Sequence, residues 1–373
     1  MVLLRWMVHL ALALALVPGL TLAQGAPLVV HHIGPFTGVL AVSNKEAIDG
    51  ARLYLDQLNE RGGVQGRPVK LETLDDGQDP KRSKALFDEL LARGKPLALL
   101  MARTTPTMEA LMPGLAAAGV PMVAPQTGAS FINEPPRREI FPIRASYRRE
   151  AEMAIRLQHQ IGVRSFGLLL ADDAFGTDTL VGIERAFADL KVTEVTRTKV
   201  DNRKPDVTGP VRELLEKRPQ AVLLIASAKA ASDFVKLYRA QGGAANFVSL
   251  SNTSNNDYVQ GLGDEARGAV VMQVMPSPFS GTTALAREYV AAATKKKLAL
   301  SYAGFSGFAS AKLLAVGLSR AGREPTAASL IAALEAAGEI DLGGHRVRYG
   351  PGDRTGSTFV DSAIITTGGK FLR

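Results

Sequence analysis

Apolar runs of strand length alternate along this chain with segments whose apolar residues recur at helical spacing, the pattern of parallel α/β layers. Leu28 to Ile33 reads as the first strand. In the segment after it, Ile48, Ala51, Leu55 and Leu58 fall at spacings of 3, 4 and 3 and line one helix face, and Gly62-Gly63 stops that helix. Ser43-Asn44-Lys45-Glu46 has capping-box spacing and predicts its start. Val69 to Leu74 is the next strand. Asp79 as cap and Pro80 at the first helical position predict a helix to Arg93, closed by Gly94. Leu97 to Met101, a helix from Pro106 to Ala118, and Pro121 to Ala124 complete a first doubly wound sheet.

The pattern restarts around Phe141 to Tyr147, with a helix to Ile161, strand Ser165 to Ala171 and a helix from Thr177 to Leu190. Strand Glu194 to Val200, helix Val211 to Lys217, strand Ala221 to Ala226, helix Ala230 to Gln241 and strands Phe247 to Leu250 and Ala269 to Val274 follow. Two Ala-rich helices, Thr283 to Lys296 and Ala303 to Ala321, a helix from Ala327 to Ala336, and strands near Val347 and from Val360 to Ile365 end the chain. The expected fold is α/β: two doubly wound parallel-sheet lobes joined by a multi-crossing hinge, with a cleft between them. Residues 24–144 with 275–350 are assigned to one lobe, and 145–274 with 351–373 to the other.

The first 23 residues stand apart. One cation, Arg5, precedes a largely apolar stretch from Trp6 to Val17, and Pro18, Gly19 and Thr21-Leu22-Ala23 follow, the layout of a cleavable secretory signal. That stretch is shorter than the roughly 20 residues a membrane-spanning helix needs. Cleavage after Ala26 would leave Pro27 at the new N-terminus, so the cut is placed after Ala23. The expected location is the periplasm.

Composition narrows the chemistry. The 373 residues include no cysteine, which removes disulfide frameworks, Cys-ligated metals and thiol nucleophiles together. The 44 Lys and Arg against 36 Asp and Glu give a formal charge of +8, but no basic tract is longer than Lys295 to Lys297, so no nucleic-acid partner is expected. There is no Gly-x-Ser-x-Gly elbow, no Ser-x-x-Lys and no phosphate-binding loop around Gly368-Gly369-Lys370. His31 and His32 are adjacent in a strand and face opposite sides, so they do not share a metal easily. No metal or cofactor is expected. The carboxylate pairs Asp75-Asp76 and Asp172-Asp173 both follow strands, where Asp makes turns and helix caps.

What remains is a set of strand-end loops rich in hydroxyl, amide and Gly residues: Gly34 to Gly38, Ala102 to Thr105, Pro125 to Ser130, Asp173 to Gly176 and Ser251 to Asn256. In an open parallel sheet, ligands bind beyond the carboxyl ends of strands. Thr105, before Pro106, is read as the cap of a helix whose free amides suit a carboxylate.

Read together and in order, Ile33-Gly34-Pro35-Phe36-Thr37-Gly38, Leu58-Asn59-Glu60-Arg61-Gly62-Gly63-Val64-Gln65-Gly66-Arg67 and Asp75-Asp76-Gly77-Gln78-Asp79-Pro80 resemble the type I periplasmic binding proteins of ABC importers, the leucine/isoleucine/valine-binding class. The likeness continues through Asp172 to Gly176 and Gly261-Leu262-Gly263-Asp264. It implies a two-lobed trap that closes on a small solute and hands it to an ABC permease and its ATPases in the inner membrane. A monomer is expected and, with no nucleophile–base pair or metal cluster in the sequence, not an enzyme. Carried over by position, the first-lobe contacts are Ser43, Thr105, Gln126, Thr127 and Gly128, and the second-lobe contacts Phe175 and Ser251; Thr104, Tyr147 and Asn252 beside them complete the candidate set. The family usually has Gly where this chain has Met101. Members that bind branched-chain amino acids place an acid at the position of Ser251, whereas Ser249 to Asn256 holds none. An unpaired buried ammonium costs several kcal/mol, so an apolar or aromatic carboxylate, or a neutral amide-like solute, is favoured over an amino acid. Two other readings compete: a periplasmic α/β enzyme using Asp172 or Asp173, and a sensory module reporting to a membrane kinase.

Overall fold

The computed structural model describes residues 25–372, and the expected signal segment lies outside them. Five short strands, β1 (Leu28–Gly34), β2 (Val69–Asp75), β3 (Leu99–Leu100), β4 (Met122–Val123) and β5 (Ile140–Phe141), make a parallel sheet in the order β2-β1-β3-β4-β5. Three helices connect its first four strands: α1 (Ala41–Glu60), α2 (Pro80–Arg93) and α3 (Thr105–Ala118). Asp79 caps α2 as expected, accepting from the Lys81 amide, and Gly94 closes it. Strand β5 had no periodic signature, since two residues show no alternation.

The second sheet follows α4 (Tyr147–Gln160). Strands β6 (Ser165–Ala171), β7 (Thr193–Val200), β8 (Ala221–Ile225), β9 (Asn246–Ser249) and β10 (Val270–Gln273) are parallel, joined through α5 (Ala174–Leu190), α6 (Thr208–Lys217), α7 (Ala228–Ala240) and α8 (Asn256–Leu262). The chain then passes into α9 (Ala284–Lys296), α10 (Tyr302–Arg320) and α11 (Ala327–Ala336). A three-stranded antiparallel sheet comes next: β11 (Glu339–Asp341), β12 (Arg346–Gly350) and β13 (Asp353–Gly356). Finally β14 (Asp361–Ile365) and β15 (Phe371–Leu372) add antiparallel to the second sheet, giving β15-β14-β10-β9-β8-β6-β7.

Each large sheet has an apolar layer on both faces, as parallel sheets require. Helices α9 to α11 and the small sheet share the first sheet's core. Close backbone approach fixes α10 there: a Cβ on Gly50 would lie 1.9 Å from the Gly304 carbonyl oxygen, and one on Gly307 would lie 1.8 Å from that of Ala47. The late helices thus return to the first lobe. The small sheet rests on the crossing after β5, where Tyr349 donates to the Pro142 carbonyl at 2.7 Å and the His345 ring meets that of Ile143 at 2.8 Å. The lobe boundary drawn at residue 350 falls inside this sheet, between β12 and β13, because Arg348 pairs with Gly356.

Two helix starts differ from the sequence reading. Helix α1 begins at Ala41 with Leu40 in the cap position and no side-chain cap, so the expected capping box is not formed. The Ser43 hydroxyl instead donates back to the Leu40 carbonyl at 3.2 Å, a bond open to a hydroxyl inside a first turn. Helix α3 is capped by Thr104, not Thr105: the Thr104 hydroxyl accepts from the Thr107 amide at 3.1 Å.

Candidate functional site

The loops that leave the carboxyl ends of all ten parallel strands converge on one cavity of about 400 Å³. Leu40 follows β1, Gln78 follows β2, Arg103 to Pro106 follow β3, Gln126 follows β4, and Arg144 and Tyr147 follow β5. Facing them are Asp172, Asp173 and Phe175 after β6, Asp201 to Arg203 after β7, Ser227 after β8, Ser251 and Asn252 after β9, and Val274 and Met275 after β10. Tyr302, Ala303 and Ser306 at the start of α10 close one side. This is the position where open parallel sheets hold ligands, here doubled by two sheets meeting end to end.

Seven of the sequence-predicted residues line the cavity: Thr104, Thr105, Gln126, Tyr147, Phe175, Ser251 and Asn252. Ser43, Thr127 and Gly128 stand behind its wall. The Ser43 hydroxyl accepts from Arg103 Nη2 at 2.9 Å. Thr127 shares a 2.7 Å hydrogen bond with the Thr105 hydroxyl and accepts from the Ala129 amide. Gly128 is a point of close approach: a Cβ there would lie 2.9 Å from the Ala145 carbonyl and 3.0 Å from Arg144 Nη2. Its own carbonyl accepts from the Tyr147 amide at 2.7 Å.

The first-sheet wall carries backbone strain. Met101 (φ 61°), Thr104 (φ 71°) and Ala124 (φ 53°) occupy the left-handed region, which costs non-glycine residues of order 1–3 kcal/mol each and is found where a site over-determines the chain. Met101 thus holds by force the conformation that Gly would hold freely. The kinked β3 loop brings Arg103 to the cavity beside the first turn of α3, whose Thr105 amide lies among the free donors of a helix start.

Two arginines there, neither singled out by sequence reasoning, differ sharply. Arg103 donates to Ser43, and among the described residues no carboxylate is ion-paired with it. Burial pushes its guanidinium below the ordinary arginine range, with Tyr147 and Glu46 opposing at a distance. Arg144, only 7% exposed, is ion-paired with the fully buried Glu150. It also donates to the Ser251 hydroxyl at 2.8 Å, the Gln126 carbonyl at 3.2 Å and the Ala145 carbonyl at 3.3 Å, and stacks 4.4 Å over the Tyr147 ring. Burial works against its charge, but Tyr147 and Glu150 outweigh that and hold it above the ordinary range. Glu150 accepts in turn from the Ser251 amide at 2.8 Å. The Ala102 to Thr105 loop contained Arg103, so its position was a signal; Arg144 and Glu150 meet Ser251 across 107 and 101 residues, and nothing local marks them.

The two acids weighed for chemistry are both engaged. Asp173 caps α5, accepting from the Phe175 amide at 2.8 Å and the Gly176 amide at 3.4 Å, and so starts that helix three residues before the expected Thr177. Burial raises its pKa against those bonds and one from Asn202. Asp172 is ion-paired with Lys199 at 2.6 Å. Between the polar ends, Phe175 and Tyr147 set their rings 4.5 Å apart, and Pro80, Pro106, Val274 and Met275 add apolar wall.

The sequence profile of the periplasmic binding proteins matches residues 28–368. The chain belongs to that family. A substrate-binding periplasmic protein from Ralstonia solanacearum is 32% identical over 92% of this chain and 99% of its own, with a TM-score of 0.87. The Leu/Ile/Val-binding protein BraC3 of Rhizobium johnstonii is 21% identical over 90% of both chains. An ABC-transporter solute-binding protein from R. palustris, solved in complex with benzoate, superposes with a TM-score of 0.82 at 17% identity over 93% of this chain and 95% of that one. The type I architecture of this periplasmic binding protein is that of its solved relatives. Members of the family are substrate-binding proteins that take small ligands, not enzymes.

Proposed function

We propose that this periplasmic binding protein captures a small carboxylate with an apolar or aromatic body, by closing its lobes, and delivers it to an ABC permease and its ATPases. Residues 1–23 export it to the periplasm in this reading. The observation that carries it is Arg103: a guanidinium without an ion-pair partner among the described residues, at the cavity, beside the first turn of α3. A half-buried cation of that kind is stabilised by a carboxylate that also takes the helix-start donors. The apolar surfaces of Phe175, Tyr147, Val274 and Met275 suit the body of the same solute. An amino acid fits less well, because Asp172 and Asp173 are already engaged and an ammonium would lack a counter-charge.

Native mass spectrometry of protein purified without denaturation tests the class, since a closed trap retains its solute. A bound mass that proves to be an anion lacking an amine is the expected result. Calorimetry with benzoate, 4-methylpentanoate and L-leucine checks it independently. Tight binding of leucine with no binding of either acid overturns the reading.

A further inference from the structure

Arg144 and Arg103 share the cavity but cannot share a role. Every nitrogen of Arg144 already has a protein acceptor: Glu150 and Ser251 on Nη2, the Gln126 carbonyl on Nη1 and the Ala145 carbonyl on Nε. It has little left to offer a ligand. What it does is cover Glu150, a buried carboxylate that does not reach the cavity itself and whose other oxygen lies behind the Ser251 amide. The remaining acids at the cavity are committed elsewhere: Asp172 to Lys199, Asp173 to the start of α5, and Asp201 to the Arg203 amide.

We propose that Arg144 is a specificity-determining residue that masks Glu150 from the cleft and thereby excludes ammonium-bearing solutes. This rests on the reading of the protein as a carboxylate receptor and assigns the origin of its selectivity. With Arg144 in place, an ammonium entering beside Ser251 and Tyr147 meets a guanidinium and no open anion. With Arg144 replaced by a neutral side chain, the same ammonium meets Glu150, whose carboxyl burial holds above the ordinary range and which ionises as the ammonium arrives, across a gap of about the volume removed.

The test uses the mature protein and three probes on one skeleton: 3-phenylpropanoate, L-phenylalanine and 2-phenylethylammonium, titrated by calorimetry with ligand-induced thermal shifts alongside. In folded Arg144→Met, the affinities for 2-phenylethylammonium and L-phenylalanine relative to 3-phenylpropanoate should rise at least about tenfold over the parent. The double variant Arg144→Met/Glu150→Gln should lose that gain. No gain of ammonium binding, or a gain that survives in the double variant, overturns the proposal. The amine probe carries no carboxylate, so it reports on Arg144 even if the parent binds none of the acids, an outcome that sinks the carboxylate reading instead. If Arg144→Met does not fold, Glu150→Gln takes its place. There an unneutralised Arg144 should raise 3-phenylpropanoate affinity at least about threefold, and an unchanged affinity overturns the proposal.

Discussion

Arg103 and Arg144 stand at one cavity in two opposite conditions. The Arg103 guanidinium has Ser43 for a hydrogen-bond partner and, among the described residues, no ion pair, on a loop held in left-handed backbone. Arg144 has four protein acceptors, one of them a buried carboxylate, and an aromatic ring beneath it. In the proposed reading the first arrangement is incomplete and gains from a ligand, whereas the second is complete and resists change. A binding site of this sort gets its affinity where the protein has left polar groups unmatched, and its shape where they are matched.

The largest effect expected from that contrast is on stability. Arg144→Met leaves Glu150 buried without its partner and should lower unfolding free energy by about 3–5 kcal/mol, read from urea unfolding midpoints. Arg103→Met removes no ion pair among the described residues and should cost less than about 1 kcal/mol by the same measurement. Equal losses in the two variants would break the comparison.

Acid sensitivity separates the two sites further. His32 is fully buried behind the Arg103 side, with Nδ1 3.0 Å from the Leu100 carbonyl, and burial, reinforced by Arg103, pushes its pKa down to about 4. The unfolded chain therefore takes up a proton first as pH falls. The His32 contribution to stability should be intact above pH 6.5 and be lost toward pH 4, about 3 kcal/mol from this one group. Burial shifts His345 the same way and adds to the slope. Denaturant melts from pH 7.5 to 4 should show the step, reduced in His32→Gln and also in Arg103→Met, where the nearby positive charge is gone. A step untouched by His32→Gln would place its origin elsewhere.

Much of the frame around these sites was legible from local signals. Strand Ser165–Ala171 and helix Ala327–Ala336 fall where the apolar pattern placed them, and Asp79-Pro80 and Gly94 bound their helix as read. The failures have a common form. Helix α1 starts at Ala41 without a side-chain cap, the Ser43 hydroxyl bonding back to Leu40, and α3 takes Thr104 as cap; in both, neighbouring residues compete for one role and spacing alone does not choose between them. Strand β5 and helix α8 are too short for periodicity to register. In the site, hydroxyl and amide residues on strand-end loops could be named from sequence, but Ser43, Thr127 and Gly128 stand behind the wall. Glu150 and Arg144 carry no marker at all, since what defines them is each other and Ser251, a contact made only after both sheets have formed.

On the binding side, Arg103→Met should weaken a carboxylate probe such as benzoate by about 2–3 kcal/mol, the range of a charge-assisted hydrogen bond, or roughly 30- to 150-fold. Calorimetry on the parent and variant measures it. An affinity within twofold of the parent would move the anion away from the β3 loop and leave the two arginines alike in doing nothing for the ligand.

The smallest effect is expected at Asp173, and it sharpens the comparison from the side of the acids. This carboxylate lines the cavity, yet its Oδ1 is bound to two amides of α5 and its Oδ2 lies 3.4 Å from Asn202 Nδ2. An asparagine in its place keeps an oxygen for the Phe175 amide and is as good a helix cap, so Asp173→Asn should cost less than about 0.5 kcal/mol in stability and change affinity for benzoate by no more than a few-fold. Asp173→Ala, which removes the cap, should cost about 1 kcal/mol while leaving affinity in the same range. Loss of binding in Asp173→Asn, with its fold intact, would mean that a carboxylate already matched within the protein still acts on the ligand, and the division between matched and unmatched groups would no longer sort the cavity's residues.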